Sequence, residues 1–270
     1  MLLNDQKLAG ALLAARYAFM PNRLKYCGPD NNAELFGYLA NQTADLGLKE
    51  MLQEFQTMFP YLKLIAEANH IADPFNYRVV EAYWIGNELL EKVRIQNFYR
   101  YLVDGQQLKK KFKLSSLEKL FGKIPLGAKP HHSFHVLNVP KRTGYYPVEH
   151  TLKTINACII TPAKIKRLNL ESCSAEGRVK KIKEQRNILK KIMVEARPLV
   201  AEGNCLEIGE AREQEVFVES NNQALVKGFK VGDDVALHWN WVCDLLTPSQ
   251  AENLLKWNNY NLKLLNLNYA

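Results

Sequence analysis

The chain has 270 residues, of which 47% are hydrophobic and 24% are charged, and its formal net charge is +8. This composition is typical of a soluble globular protein with one large or two modest domains, and it excludes disordered, collagen-like and low-complexity chains. The five cysteines form no C-x-x-C pair, which argues against a disulfide framework and a zinc ribbon. The apolar stretch at residues 8–19 is too short to span a membrane and no signal peptide is recognisable, so we expect a cytoplasmic protein.

Residues 1 to about 122 show the spacing of amphipathic helices. The first run covers residues 8–19 and is expected to end at Pro21. Further helices are expected in the segments 33–40, 46–58, 60–71, 73–90, 95–102 and 115–121. The sequence therefore predicts an all-helical bundle as an N-terminal domain, residues 1–125.

The pattern changes at residues 122–130, where Gly, Pro and basic residues cluster and the apolar spacing then shortens towards two. Strands are expected at residues 134–139, 156–160, 164–168, 188–194, 215–218 and 234–238. Turn residues separate them at hairpin spacing, which indicates a small antiparallel barrel, and Thr247–Pro248 begins a C-terminal helix. The expected class is α+β, with a β-barrel domain and its helix at residues 126–270.

Three histidines stand within five residues in the segment KPHHSFH, residues 129–135. On a strand, His131 and His135 would share one face while His132 would take the other. Neutral imidazole is the commonest metal ligand in proteins, so this pair indicates a metal or proton-transfer site. The alternative is that these histidines bridge the two domains through hydrogen bonds or lie on an exposed strand.

Cys158 and His238 form the second candidate constellation, because both fall in expected strands of one barrel. A thiolate with an imidazole would suit iron, copper or zinc better than magnesium or calcium. The same pair could act as a nucleophile and its base. A buried cysteine and a hydrogen-bonded core histidine are the structural alternative.

Cys158 is followed four residues later by Pro162 and then by Ala163. The segment VGDDVALH, residues 231–238, precedes the expected C-terminal helix. These two motifs resemble the HypC/HupF family of nickel–iron hydrogenase maturation chaperones: the first resembles the family's N-terminal motif, with Ala163 where the family has glycine, and the second resembles its closing strand and helix. The whole chain also resembles an uncharacterised prokaryotic family, through segments such as AARYAFMPNRLKYCGPDNNAELF and ALHWNWVCD.

The HypC/HupF resemblance implies an OB-like barrel over residues of about 155–265. It implies that Cys158 and His238 handle an iron ion carrying cyanide and carbonyl ligands. It also implies that the partners are other hydrogenase maturation proteins or the hydrogenase large subunit. In that setting His131 and His135 would be nearby helpers of the metal site.

A basic stretch, residues 178–197, holds eight basic residues against Glu184 and Glu195. It could bind an acidic partner protein or a nucleic acid, and four of its residues are the candidate partner-binding set: Lys180, Lys181, Lys183 and Arg186. No aromatic residue is interleaved there to stack on bases. The alternative is a solvated edge strand whose lysines discourage aggregation.

Polar and aromatic residues gather in the helical half and beside His238, where they could line a pocket. These candidates are Arg16, Asn22, Cys27, Asp30, Glu81, Trp84, Asn87, Trp239 and Trp241. The alternative is a polar network that fixes the chain between helices.

The leading hypothesis is therefore a non-enzymatic accessory protein for metallocentre assembly, which presents iron through Cys158 and His238 and docks a partner. A Cys–His hydrolase or transferase with Cys158 as nucleophile, and His238 or His135 as base, is the alternative. An OB-type nucleic-acid-binding module using residues 178–197 is a third hypothesis.

Overall fold

The computed structural model describes residues 2–105, 113–139, 146–170, 189–220 and 223–267. Helices come first and strands second, and a long helix closes the chain. The expected α+β class is confirmed.

The first half is built from helices whose apolar residues recur at helical spacing. They are α1 (Leu2–Arg23), α2 (Asn32–Asn41), α3 (Leu46–Gln53), α4 (Met58–Ala68), α5 (Tyr77–Trp84), α6 (Ile95–Arg100) and α7 (Leu114–Gly122), with a 3-10 turn at Glu88–Leu90 and a π turn at Tyr101–Gly105. Asp45 and Asn76 are the N-cap residues of α3 and α5, and each side chain accepts a hydrogen bond from a backbone N–H in the first turn.

Helix α1 continues past Pro21 to Arg23, so the expectation that Pro21 ends it is wrong. A proline inside a helix has no N–H for the carbonyl four residues earlier, which here is the carbonyl of Tyr17. The helix tolerates this loss because the Tyr17 oxygen accepts a hydrogen bond from His238 Nδ1 at 2.7 Å instead. The proline thus leaves one buried carbonyl available to the strand half of the molecule.

Two short helices lie where strands were expected. They are α8 (His132–Asn138) and α9 (Leu152–Cys158), so the strand predictions at 134–139 and 156–160 are wrong. All seven residues of α8 are buried, and a helix that is buried on every side has no exposed polar face to give its sequence an amphipathic period. Helix α9 begins with a capping box, in which Thr151 and Thr154 bond to each other's backbone N–H groups.

The strands of the second half are β1 (Thr161–Leu170), β2 (Leu189–Ala196), β3 (Leu199–Glu202), β4 (Cys205–Ile208), β5 (Arg212–Ser220), β6 (Gln223–Ala224), β7 (Asp234–His238) and β8 (Trp241–Leu246). Five of them pair in the order β2-β1-β7-β8-β5, and β5 pairs back onto β2, which closes a circuit. The β5–β8 pairing is parallel and the other pairings are antiparallel. Sequence analysis missed the hairpin of β3 and β4 and the strand β8.

A tight hairpin joins β7 to β8, with His238 opposite Trp241. Its two central residues, Trp239 and Asn240, both have a left-handed backbone, with φ of 51° and 60°. Positive φ at both central residues is typical of a type I′ turn, which matches the twist of the strands. A tryptophan in this conformation is uncommon, and it lies directly beside the candidate ligand His238.

The final helix, α10 (Pro248–Asn266), begins at Thr247 as expected, and Gln250 completes a capping box with it. The largest hydrophobic core contains residues of the helices together with Trp241, Cys243 and Trp257 from β8 and α10. A second core lies inside the strand circuit. The domain boundary at residue 125 stays a prediction, and the largest core extends across it.

Candidate metal centre

Three side chains that can bind a metal converge at the junction of the helices and the strand circuit. His132 lies in the first turn of α8, Cys158 ends α9 and His238 ends β7. One ligand atom from each lies within 4.8 Å of the other two. All three residues are buried. We call them the ligand cluster.

The local structure explains why Cys158 and His238 meet. Helix α9 ends at Cys158, and three residues later the chain begins β1, which pairs with β7. The backbone N–H of Trp239 donates to the carbonyl of Ala157 at 2.6 Å. The residues before Cys158 and after His238 are therefore hydrogen-bonded to each other, which holds the two side chains close.

The hydrogen bonds of the two imidazoles define their tautomers. A carbonyl can only accept, so His238 Nδ1–H donates to Tyr17 and His132 Nε2–H donates to the carbonyl of Cys158 at 2.9 Å. In the neutral rings the lone pairs are then on His238 Nε2 and His132 Nδ1. Metal-binding histidines almost always donate their other N–H in this way, often to a backbone carbonyl.

The electrostatics of the cluster favour a neutral His132 ring. Burial lowers the pKa of His132 well below its ordinary value, and the nearby ring of His238 lowers it further. The two rings meet edge to face, with their centroids 5.2 Å apart. Neutral imidazole is the form that binds a metal, so the His132 ring is in the right state at neutral pH.

The other two histidines of the predicted site lie elsewhere, because the segment is a helix and not a strand. His131 is the N-cap of α8, and its Nδ1 accepts from the Ser133 N–H at 3.2 Å. Burial lowers the pKa of His131 to about 3. His135 lies one turn after His132 and its Nδ1 is 3.3 Å from the Tyr61 hydroxyl. Neither belongs to the ligand cluster.

Sequence analysis missed His132 because strand alternation placed it opposite His131 and His135. In a helix, residues three apart lie on neighbouring positions of one face, so His132 and His135 face the same cavity. A helical interpretation of residues 132–138 would have placed His132 and His135 on one face.

A small cavity adjoins the cluster, and three of the predicted pocket residues line it: Cys27, Trp84 and Trp239. Its volume is about 30 Å³. Trp241 packs in the core, 1% exposed, outside this lining.

Two further predicted pocket residues, Asn22 and Asp30, hold the loop after α1. Asn22 donates to the carbonyls of Cys27 and Pro29, and Asp30 pairs with Lys25 at the surface.

The remaining predicted residues form a polar network where α1, α5 and α10 meet β8. Arg16 pairs with Asp244 at 2.9 Å. Glu81 accepts from Gln250 at 2.7 Å and from Asn87 at 2.8 Å. Burial raises the pKa of Asp244 to about 6, although the Arg16 guanidinium lowers it. This arrangement agrees with the polar network that was the alternative to a pocket.

The predicted partner-binding residues lie outside the described residues. They are Lys180, Lys181, Lys183 and Arg186. The described end of the basic stretch is β2, where Lys190 and Lys191 pair with Glu219 and Glu215 of β5.

No helix in the described part of the chain combines the length and the apolar character needed to cross a membrane.

Comparison with curated proteins and with solved structures finds no match. A family model described as a family of unknown function, DUF6390, matches residues 6–270. Because this match covers nearly the whole chain, the protein belongs to the DUF6390 family.

Proposed function

We propose that this protein binds a transition-metal ion through Cys158, His238 and His132 and serves as an accessory protein in metallocentre assembly. The observation that carries the proposal is the ligand cluster, whose three ligand atoms lie within 4.8 Å of one another. The backbone carbonyls that accept from the two imidazoles support it. Each carbonyl fixes the N–H on one ring nitrogen, so the lone pair is on the other nitrogen, His132 Nδ1 or His238 Nε2, which could bind a metal.

One thiolate and two neutral imidazoles form a soft-to-borderline ligand set. Such a set suits iron, zinc or copper, whereas magnesium and calcium prefer oxygen. Three protein ligands also leave a coordination position open, as in metal sites that exchange a ligand. Iron, with cyanide and carbonyl ligands, is the cargo that the resemblance to HypC/HupF chaperones adds to this proposal.

The carrier role follows from the incomplete ligand set and from the position of the site. A metal with an open position can accept a further ligand from a partner protein. The ligand cluster lies where helices meet the strand circuit, so contacts made by the helical half can reach it. We propose that the partner is a hydrogenase maturation protein or the hydrogenase large subunit, as the resemblance implies.

A Cys158 nucleophile is the alternative function. His132 and His238 are both close enough to Cys158 to be considered as its base, whereas His135 lies outside the ligand cluster. However, Cys158 is only 5% exposed, and the cavity beside it holds about 30 Å³. A substrate of more than a few atoms does not fit that space, and this favours the metal proposal.

A nucleic-acid-binding role is less well supported by the described part of the basic stretch. Lys190 and Lys191 are paired with glutamates of the adjacent strand at 3.0 and 2.9 Å. Paired charges contribute little to the positive potential that a phosphate backbone requires.

The test is anaerobic purification followed by metal analysis and by titration with Fe(II), Co(II) and Zn(II). We expect one metal ion per chain in the wild type and loss of tight binding in Cys158→Ala, His238→Ala and His132→Ala. Cys243→Ala is the matched control, because Cys243 is a fully buried thiol outside the ligand cluster. Circular dichroism would verify that each variant is folded.

Wild-type metal binding in the three cluster variants would contradict the proposal, as would a wild type that takes up none of these ions. Infrared spectroscopy of the anaerobic protein tests the cargo separately. Cyanide and carbonyl stretching bands that disappear in Cys158→Ala are expected for iron with those ligands. Binding of plain metal without such bands would retain the metal site and remove that cargo.

A further inference from the structure

The cavity beside the ligand cluster is small, buried and mostly apolar. Eleven of its fourteen lining residues are buried, among them Tyr83, Trp84 and the three residues of the ligand cluster. The other three, Tyr26, Cys27 and Trp239, are half-buried and form the wall towards the surface. Tyr26 packs on Trp239 in this wall, with ring centroids 4.9 Å apart.

Among these residues, Trp84 carries a buried indole N–H that has no hydrogen-bond partner in the described part of the chain. It is 3% exposed, and its ring centroid lies 4.5 Å from that of His132 and 5.7 Å from that of His238. Its Nε1 is buried and makes no hydrogen bond to any residue that the structure describes. An indole N–H can only donate, and burial of an unsatisfied donor is unfavourable.

We propose that the cavity holds a small exogenous ligand of the metal and that Trp84 Nε1 donates a hydrogen bond to it. The inference rests on the proposed function, because the metal would bind one end of the ligand. A linear anion or a diatomic molecule with an accepting terminal atom has the required chemistry. Trp84 is then the residue with which the helical half selects what occupies the open position.

The size of the cavity supports this ligand class. One water-sized group needs about 10–15 Å³ of such space, so 30 Å³ accommodates about two groups and excludes larger molecules. A lone water is a poor occupant, since buried water needs two to four polar partners and the lining is mostly apolar. A ligand bound to the metal at one end needs only one donor at the other.

Other polar side chains also line the cavity. The Tyr83 hydroxyl, which also lines the cavity, lies 3.3 Å from His132 Nδ1 and would be released as a second donor once that nitrogen binds the metal. The other nitrogen of His132 donates to the backbone. Trp239 Nε1 is a second buried donor without a described hydrogen-bond partner, but its residue belongs to the half-buried wall. Trp84 Nε1 is therefore a fully buried donor, without a hydrogen-bond partner among the described residues, that belongs to a residue bordering both the cavity and the imidazoles.

Azide is a suitable probe, and cobalt-loaded protein a suitable reporter. We expect azide to change the visible absorption of the Co(II) protein in a saturable way. Trp84→Phe keeps the aromatic contacts and removes the N–H, so it should retain cobalt and bind azide about tenfold more weakly. Trp241→Phe is the matched control, because Trp241 also has a buried Nε1 without a described partner but does not line the cavity. Its azide affinity should equal that of the wild type.

A second measurement needs no variant. In zinc-loaded wild-type protein with 15N-labelled tryptophan, azide should move one indole N–H proton downfield. Equal azide affinity in Trp84→Phe and wild type, or cobalt uptake without an azide response, would overturn this inference alone. An indole spectrum unchanged by azide would do the same. A wild type that takes up no cobalt or zinc would instead overturn the proposed function, and this inference with it.

Discussion

The buried ion pair of Arg16 and Asp244 should make the stability of the protein depend on pH in an unusual direction. Asp244 is 6% exposed, and its burial raises its pKa from 3.8 to about 6 despite the guanidinium 2.9 Å away. The folded protein therefore binds more protons than the unfolded chain between these two values. By linkage, the contribution of Asp244 to the free energy of unfolding is largest below pH 4 and is lost as the pH rises through 6.

The size of this effect follows from the shift. A pKa difference of about two units corresponds to about 3 kcal/mol in total, of which about 1.3 kcal/mol falls between pH 5 and pH 7. Asp244→Asn has nearly the same shape and does not titrate. The free energy of unfolding of the wild type, minus that of Asp244→Asn, should therefore fall by about 1.3 kcal/mol from pH 5 to pH 7.

Urea unfolding at pH 5, 6 and 7, followed by circular dichroism, measures this difference. Asp30→Asn is the control, because Asp30 also pairs with a cation, Lys25, but its side chain is 52% exposed. Its profile should run parallel to that of the wild type. A wild-type-minus-Asp244→Asn difference that stays constant or rises with pH would refute the reasoning, since burial would then not dominate the guanidinium.

Three further substitutions test packing and the support of the ligand cluster. Gly86 has φ of 97°, and a Cβ there would overlap the indole of Trp257, so Gly86→Ala should lower the free energy of unfolding by about 2 kcal/mol or more. Gly37 lies in α2 with open space around it, so Gly37→Ala should raise that free energy by about 0.5–1 kcal/mol, and a loss would contradict the assignment. Pro21→Ala supplies an N–H that competes for the Tyr17 carbonyl, and we expect about tenfold weaker metal binding by titration. Unchanged affinity would contradict this competition.

The regular elements were predictable where the local pattern and the tertiary environment agree. The long helix that starts at Thr247 has a cap, a proline in its first turn and an amphipathic run, and each signal indicates the same element. Strand β7 was predicted with its observed bounds, Asp234–His238. Helix α8 was not predictable from periodicity, because neighbours cover every one of its faces.

The candidate site was predictable only in part. Cys158 and His238 were singled out together, and their ligand atoms do lie close. The approach of His132 depends on α8 being a helix, which alternation concealed. The Tyr17 carbonyl is 221 residues from His238 in the chain, and a backbone oxygen leaves no trace in a residue pattern. Long-range backbone contacts of this kind come from tertiary packing, not from local sequence.

The proline in the first helix has a consequence for how a bound metal would be released. Because the Tyr17 carbonyl accepts a hydrogen bond from the His238 ring, metal affinity and the attachment of α1 to β7 would be reciprocally linked in the proposed metal-bound protein. Bound metal would strengthen that attachment by mass action, and loosening the attachment would weaken metal binding by the same factor. A partner protein that draws α1 away from β7 would therefore weaken the binding of the ion, although it contacts none of the three proposed ligands.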